Sequence, residues 1–134
     1  PKPRFAVKMI FLKPPRNALY AAIDDRVERM FEAGLEVEVG RLVGERGLDF
    51  GMQSMQAIGY REFAPYLSGE ISLPQLKERI KLDTRRYAKR QETWFSRYKF
   101  AVQADPFALA TDELAALALS DDGYFNGEEN AEDR

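Results

Sequence analysis

Apolar positions recur along this chain with two periods. Residues 4–12, RFAVKMIFL, alternate: Phe5, Val7, Met9 and Phe11 share one face, and Ile10 with Leu12 makes the second half apolar on both. That pattern reads as a strand buried at one end, and the KPPRN that follows stops it. From Asn17, a candidate N-cap, the period becomes helical, with Leu19, Ile23, Val27, Met30 and Phe31 on one face as far as Gly34. A second helix over residues 35–45 places Leu35, Val39, Leu42 and Val43 together and ends before Gly47. Residues 54–69, SMQAIGYREFAPYLSG, read as two short helical turns broken at Gly59. Ser72 with Gln75 forms a capping box that opens the longest helix, expected over residues 73–99.

On that long helix Leu76, Ile80, Thr84, Tyr87, Gln91, Trp94 and Tyr98 make one mostly apolar stripe. At about 100° per residue, Arg79, Arg86, Arg90 and Arg97 fall about a quarter turn away, with Arg85 and Lys89 further round. Trp94, being on the stripe, is expected in the core. Beyond Gln103 the pattern weakens: residues 105–120 read as a short helix capped by Thr111 or as loosely ordered chain, and residues 121–134 as disordered. The pattern predicts a mainly α fold with one N-terminal strand. Its two parts are a folded segment, 1–104, and an acidic, partly disordered tail, 105–134.

Charge sharpens this division. The net charge is −2, but residues 1–104 carry 19 Lys/Arg against 13 Asp/Glu, and residues 105–134 carry 1 against 9. The excess is focused: residues 77–99 hold 9 basic against 3 acidic side chains. A focused basic patch points to a polyanion, and aromatic neighbours such as Trp94 and Phe95 suit unstacked bases. The competing reading is a solvated charged face or a dock for an acidic protein segment, including the tail itself.

The composition also excludes chemistry. With neither cysteine nor histidine there is no disulfide, thiol nucleophile, zinc–cysteine site or Ser/His/Asp set. Neither Gly-x-x-x-x-Gly-Lys-Ser/Thr nor Gly-x-Gly-x-x-Gly occurs. Asp24, Asp25 and Glu28 cluster beside Arg26 and Arg29, which reads as local ion pairing on a solvated face. Asp83 is placed to order Arg79 or Arg86. No run is long enough to span a bilayer, and a cytoplasmic location is expected. The first residue is Pro1, so the chain is expected to be part of something longer.

Residues 56–95, QAIGYREFAPYLSGEISLPQLKERIKLDTRRYAKRQETWF, resemble the C-terminal part of the tRNA dimethylallyltransferase (tRNA isopentenyltransferase) family. Upstream, ALYAAIDDRVERMFEAGLEVEVGRLV is similar to the same family's helix pair, so the resemblance runs from about residue 4 to 97. It implies an α/β, P-loop-kinase-like parallel sheet in the whole enzyme. It also implies transfer of a dimethylallyl group from dimethylallyl diphosphate to N6 of the adenosine 3′ of the anticodon, assisted by magnesium. The tRNA anticodon stem–loop and the prenyl diphosphate are then the partners. The nucleotide-binding phosphate loop, the catalytic aspartate and the magnesium ligands would lie before this chain, which holds no catalytic residue and is expected to be inactive alone.

Carried over residue by residue, the resemblance implies that Arg26 holds the donor diphosphate. It makes Gln56, Ala57, Ile58, Gly59, Tyr60 and Arg61 one tRNA contact. A second consists of Lys89, Arg90, Gln91, Glu92, Thr93, Trp94, Phe95 and Ser96. Where the family often has arginine after the tryptophan and aromatic, this chain has Ser96 and then Arg97. A helical RNA-binding or protein-interaction module without transfer chemistry is the alternative.

Overall fold

The computed structural model describes residues 5–120. The elements run β1 (Ile10–Leu12), α1 (Arg16–Glu32), α2 (Leu35–Gly44), short 3₁₀ turns at Gln53–Gln56 and Arg61–Phe63, α3 (Ala64–Leu67), α4 (Leu73–Phe95), β2 (Val102–Ala104) and α5 (Thr111–Leu119). The fold is mainly helical, and it divides into two compact units: Asn17–Arg90, and the segments before and after it.

The Asn17–Arg90 unit is built on a core of Val27, Leu35, Val39, Met55, Phe63, Leu76 and Ile80. Three pairs show the helical pattern at work. Ile23 and Val27 on α1, Leu35 and Val39 on α2, and Leu76 and Ile80 on α4 are each four residues apart and each buried. Phe63 is the hub, with none of its surface exposed, its ring stacked on Phe31 at 5.9 Å and edge-on to Tyr66 at 6.0 Å. Burying a side chain of that size contributes about 1.5–3 kcal/mol. Gly34 takes φ +98° between α1 and α2, a left-handed turn that an L side chain resists. Helix α1 begins at Arg16, behind Pro14 and Pro15, so Asn17 lies inside the first turn and does not cap it. The N-terminus of α4 matches the pattern: Gln75 Oε1 accepts from the Ser72 N–H at 2.8 Å.

In the other unit the expected strand is shorter than its alternation suggested, and it has a partner in this chain. β1 and β2 pair in parallel, with Ile10 opposite Val102 and Leu12 opposite Ala104. β2 is three residues long and carries no readable alternation, which is why the pattern missed it. Helix α4 stops at Phe95, four residues before its expected end. There Ser96 Oγ donates to the Glu92 carbonyl at 2.7 Å, a local bond that competes with helix propagation, and the chain turns back toward β2. Phe11 and Phe95 (5.6 Å), Phe95 and Trp94 (4.9 Å), Trp94 and Tyr98 (5.1 Å), and Tyr98 and Phe100 (5.9 Å) form a run of ring contacts. Helix α5 starts at Thr111 with Ala110 in the cap position. Thr111 is therefore the first helical residue, and the Glu113 carboxylate accepts from the Ala110 N–H at 2.7 Å. Residues 121–134 of the expected tail lie outside the described residues.

Candidate functional site

Gly59 sits at the apex of the break between the two 3₁₀ turns. It is buried, and its φ of +99° is open to glycine and costly for other residues. The turn is closed by the Ala57 carbonyl, which accepts from the Tyr60 N–H at 3.0 Å and the Arg61 N–H at 3.1 Å. Gln56 donates its side-chain amide to the Phe50 carbonyl, and Ile58 is half-buried. The Tyr60 hydroxyl donates to Glu38 on α2; that bond, helped by burial, raises the phenol above its ordinary pKa.

The carboxylate that organises this turn is Glu62, only 3% exposed. One oxygen accepts from the Gly59 N–H at 2.7 Å and the other from Arg61 Nε at 2.8 Å. Arg61 Nη2 also lies 3.5 Å from Asp83 on α4, whose other oxygen is 3.1 Å from Arg86 Nη1. The hydrogen bond to Glu62 is the main reason the Arg61 pKa is raised further. Asp83 therefore orders Arg86, as one of the two expected pairings had it, and Arg61 in place of Arg79. The Arg61 side chain stays 40% exposed, held on one edge and open on the rest of its fork.

The basic run on α4 is less uniform than the sequence implies. Lys77 and Lys81 reach Glu28 of α1, at 2.6 and 2.8 Å, and hold that carboxyl at about 2, well below its ordinary 4.5. Arg85 pairs with Asp24 of α1 and lies 5.5 Å from the Tyr20 ring centre. Its expected place, solvated and away from the apolar stripe, is thus corrected: α1 covers it. The acidic cluster on α1 is corrected likewise. Only Asp25 pairs within its own helix, with Arg29 at 2.8 Å, while Asp24 and Glu28 serve α4. Arg79 and Arg90 are exposed and outside every ion pair among the described residues; Arg90 lies 5.7 Å from the Tyr87 ring. Lys89 is exposed as well. On α1, Arg26 is exposed and outside those ion pairs too.

In the other unit, Glu92 is taken by Arg16 at 3.1 Å and Lys13 at 3.8 Å. Gln91, Thr93 and Ser96 are exposed and Phe95 is half-buried. Trp94 is 48% exposed, so its expected core position is overturned; its neighbours are Phe95 and Tyr98 rather than a closed interior.

Among the sequence-predicted residues, the structure brings the 56–61 turn into contact with α4 through Arg61. It places no such link to Arg26. Sequence reasoning missed Glu62 and the Arg61–Asp83 pair. The signal was there, since a carboxylate three residues after a buried glycine can reach back to its N–H as in a capping box. Among the described residues no group of three or more Asp and Glu could hold a metal ion, and Asp24 and Glu28 are occupied by cations. No described helix is long and apolar enough to cross a membrane.

The family model described as IPP transferase matches residues 1–98. A tRNA dimethylallyltransferase of Chloroflexus aurantiacus is 45% identical over 96 residues, which are 72% of this chain and 32% of that protein. One from a Roseiflexus species is 48% identical over 95 residues, 71% of this chain and 31% of that protein. Among solved structures, the tRNA delta(2)-isopentenylpyrophosphate transferase of Staphylococcus epidermidis superposes with a TM-score of 0.75 at 36% identity, over 82% of this chain and 36% of that one. The full-length tRNA isopentenylpyrophosphate transferase of Bacillus halodurans gives 0.75 at 38% identity, over 83% and 36%. The chain spans about a third of the length of the curated relatives it matches.

Proposed function

The chain belongs to the IPP transferase family, and from that premise we propose that it is the tRNA-gripping part of a tRNA dimethylallyltransferase. In the whole enzyme the N6 amine of the adenosine 3′ of the anticodon forms a bond to C1 of dimethylallyl diphosphate. The C1–O bond breaks, pyrophosphate leaves, and the amine loses a proton. Our chain contributes two functions to that reaction. The 56–61 turn and the exposed Lys89–Arg90 pair grip the RNA backbone. Arg26, exposed and outside the ion pairs that occupy its neighbours, supplies a guanidinium fork for the diphosphate as negative charge builds on it. Magnesium, the phosphate loop and the base that takes the proton belong to residues outside this chain. Among the described residues no cluster of carboxylates suits a metal ion. We place the enzyme in the cytoplasm, where tRNA is its substrate.

The observation that carries this reading is Arg61, held between Glu62 and Asp83 at a glycine turn against a basic helix, in a chain whose relatives are named tRNA dimethylallyltransferases. A test is to join this chain to the N-terminal portion of the Chloroflexus aurantiacus relative and assay dimethylallyl transfer to an anticodon stem–loop. Transfer is expected, and Arg26→Ala should lower it without weakening RNA binding. A chimera that folds and binds the stem–loop but transfers nothing contradicts the reading.

A further inference from the structure

Two acidic residues, Glu62 and Asp83, flank the arginine that the RNA reading makes a contact. On charge alone they are misplaced, since each adds a negative charge beside a surface meant for a polyanion. Their geometry gives them another purpose. Glu62 is buried, and both its oxygens are used: one on the Gly59 N–H, one on Arg61 Nε. The two donors meet different oxygens, so a glutamine in the same place keeps an acceptor for one and sets its NH2 donors against the other. Asp83 lies between Arg61 and Arg86, so the charge chain Glu62–Arg61–Asp83–Arg86 sums to zero. An arginine so neutralised adds little to general attraction. Its remaining N–H groups are instead fixed in direction, at less loss of side-chain freedom on binding.

We propose that Glu62 and Asp83 are positioning residues: a two-sided carboxylate clamp that presents the Arg61 fork and the Gly59 turn to an RNA phosphate. This rests on the RNA-binding reading above and adds to it a sign that charge alone does not give. Removing either carboxylate makes the surface more positive, which by electrostatics alone strengthens RNA binding. Under the clamp it weakens binding.

The experiment uses the 134-residue chain and a fluorescein-labelled anticodon stem–loop with an adenosine-rich loop, with a fully duplex RNA as control. Wild type, Glu62→Gln, Asp83→Asn, Arg61→Ala and the double variant Glu62→Gln/Arg61→Ala are titrated at one salt concentration, with thermal melts of each. The expected result is about tenfold weaker stem–loop binding for Glu62→Gln and severalfold for Asp83→Asn, in the range of a lost positioned contact. Glu62→Gln is expected to weaken binding less on the Arg61→Ala background than in wild type, because the Arg61 part of the clamp is already gone and only its hold on Gly59 remains. Asp83 is on the surface side of the clamp, so Asp83→Asn carries the test even where Glu62→Gln lowers the melting temperature. Unchanged or tighter binding by folded Glu62→Gln and Asp83→Asn overturns the clamp and leaves the RNA reading standing. Wild type that does not distinguish stem–loop from duplex overturns the RNA reading, and the clamp with it.

Discussion

Arg85 and Arg90 stand five residues apart on one helix, yet the structure assigns them opposite consequences. Arg85 is half-covered: its side chain and that of Asp24 are 30% and 36% exposed, and its guanidinium lies over Tyr20. Asp24 Oδ1 is buried without a protein partner of its own, so Arg85 is the one cation the carboxylate has among the described residues. Stranding one partner of a fully buried pair costs about 3–5 kcal/mol, and an exposed pair is worth about 0–1. At this exposure Arg85→Ala should cost about 1–2 kcal/mol, which for a unit of this size lowers the melting temperature by about 4–15 °C. Arg90 is exposed and its contact is a ring 5.7 Å away, so Arg90→Ala should change stability by less than about 0.5 kcal/mol. RNA binding reverses the order. Arg90→Ala should lose about 1–3 kcal/mol of stem–loop affinity and flatten the log–log salt dependence by about 0.7–0.9. Arg85→Ala should leave that slope within error below its own melting point. Urea melts and stem–loop titrations at four salt concentrations read both quantities. If Arg90→Ala destabilises the protein while Arg85→Ala flattens the salt slope, the sorting of paired from available arginines is refuted.

Phe63→Ala should cost about 3–5 kcal/mol, seen in urea unfolding, because it empties the centre of the core; a loss under about 1 kcal/mol would show the core is misassigned. Gly59→Ala meets Met30 Cε at an ordinary 3.5 Å, so its penalty is conformational: at φ +99° it should cost about 1–3 kcal/mol and weaken stem–loop binding, and an unaltered melt would contradict the left-handed turn. Glu28 is held at about 2 against an ordinary 4.5, first by its hydrogen bonds to Lys77 and Lys81. Its folded pKa is depressed, so its stabilisation is present above 4.5 and is lost as pH falls toward 2. The melting temperature of wild type minus that of Glu28→Gln should therefore be constant near neutrality and shrink through that window; a difference that does not move with pH would contradict the pairing.

How much of this was readable beforehand follows the physics of each element. Helices α1, α2 and α4 were legible because burial at one face imposes the 3.6 period directly on Ile23, Val27, Leu35, Val39, Leu76 and Ile80. The Ser72–Gln75 cap and the glycine breaks at Gly34 and Gly59 were legible because local geometry restricts which residues fit. β2 was not, since three residues offer no period, and its identity depends on a partner about 90 residues away. The site divides the same way. Arg26, the 56–61 turn and residues 89–96 came from resemblance, which fixes positions but not partners. Which cations are occupied was invisible, because Lys77 and Arg85, and Lys81 in addition to its own-helix pair with Glu78, are met by carboxylates on a different helix, and charge counts along one helix cannot show that. Trp94 shows the limit from the apolar side: helical phase puts it on a stripe, but phase does not say what covers the stripe.

The most direct test of the central claim is equilibrium titration of the labelled adenosine-rich anticodon stem–loop into this chain, beside the duplex control at the same salt. Stem–loop binding at least about tenfold tighter than duplex is expected, because fixed groups such as Arg61 discriminate where diffuse charge does not. Equal affinity for the two RNAs, or binding to neither, would contradict it.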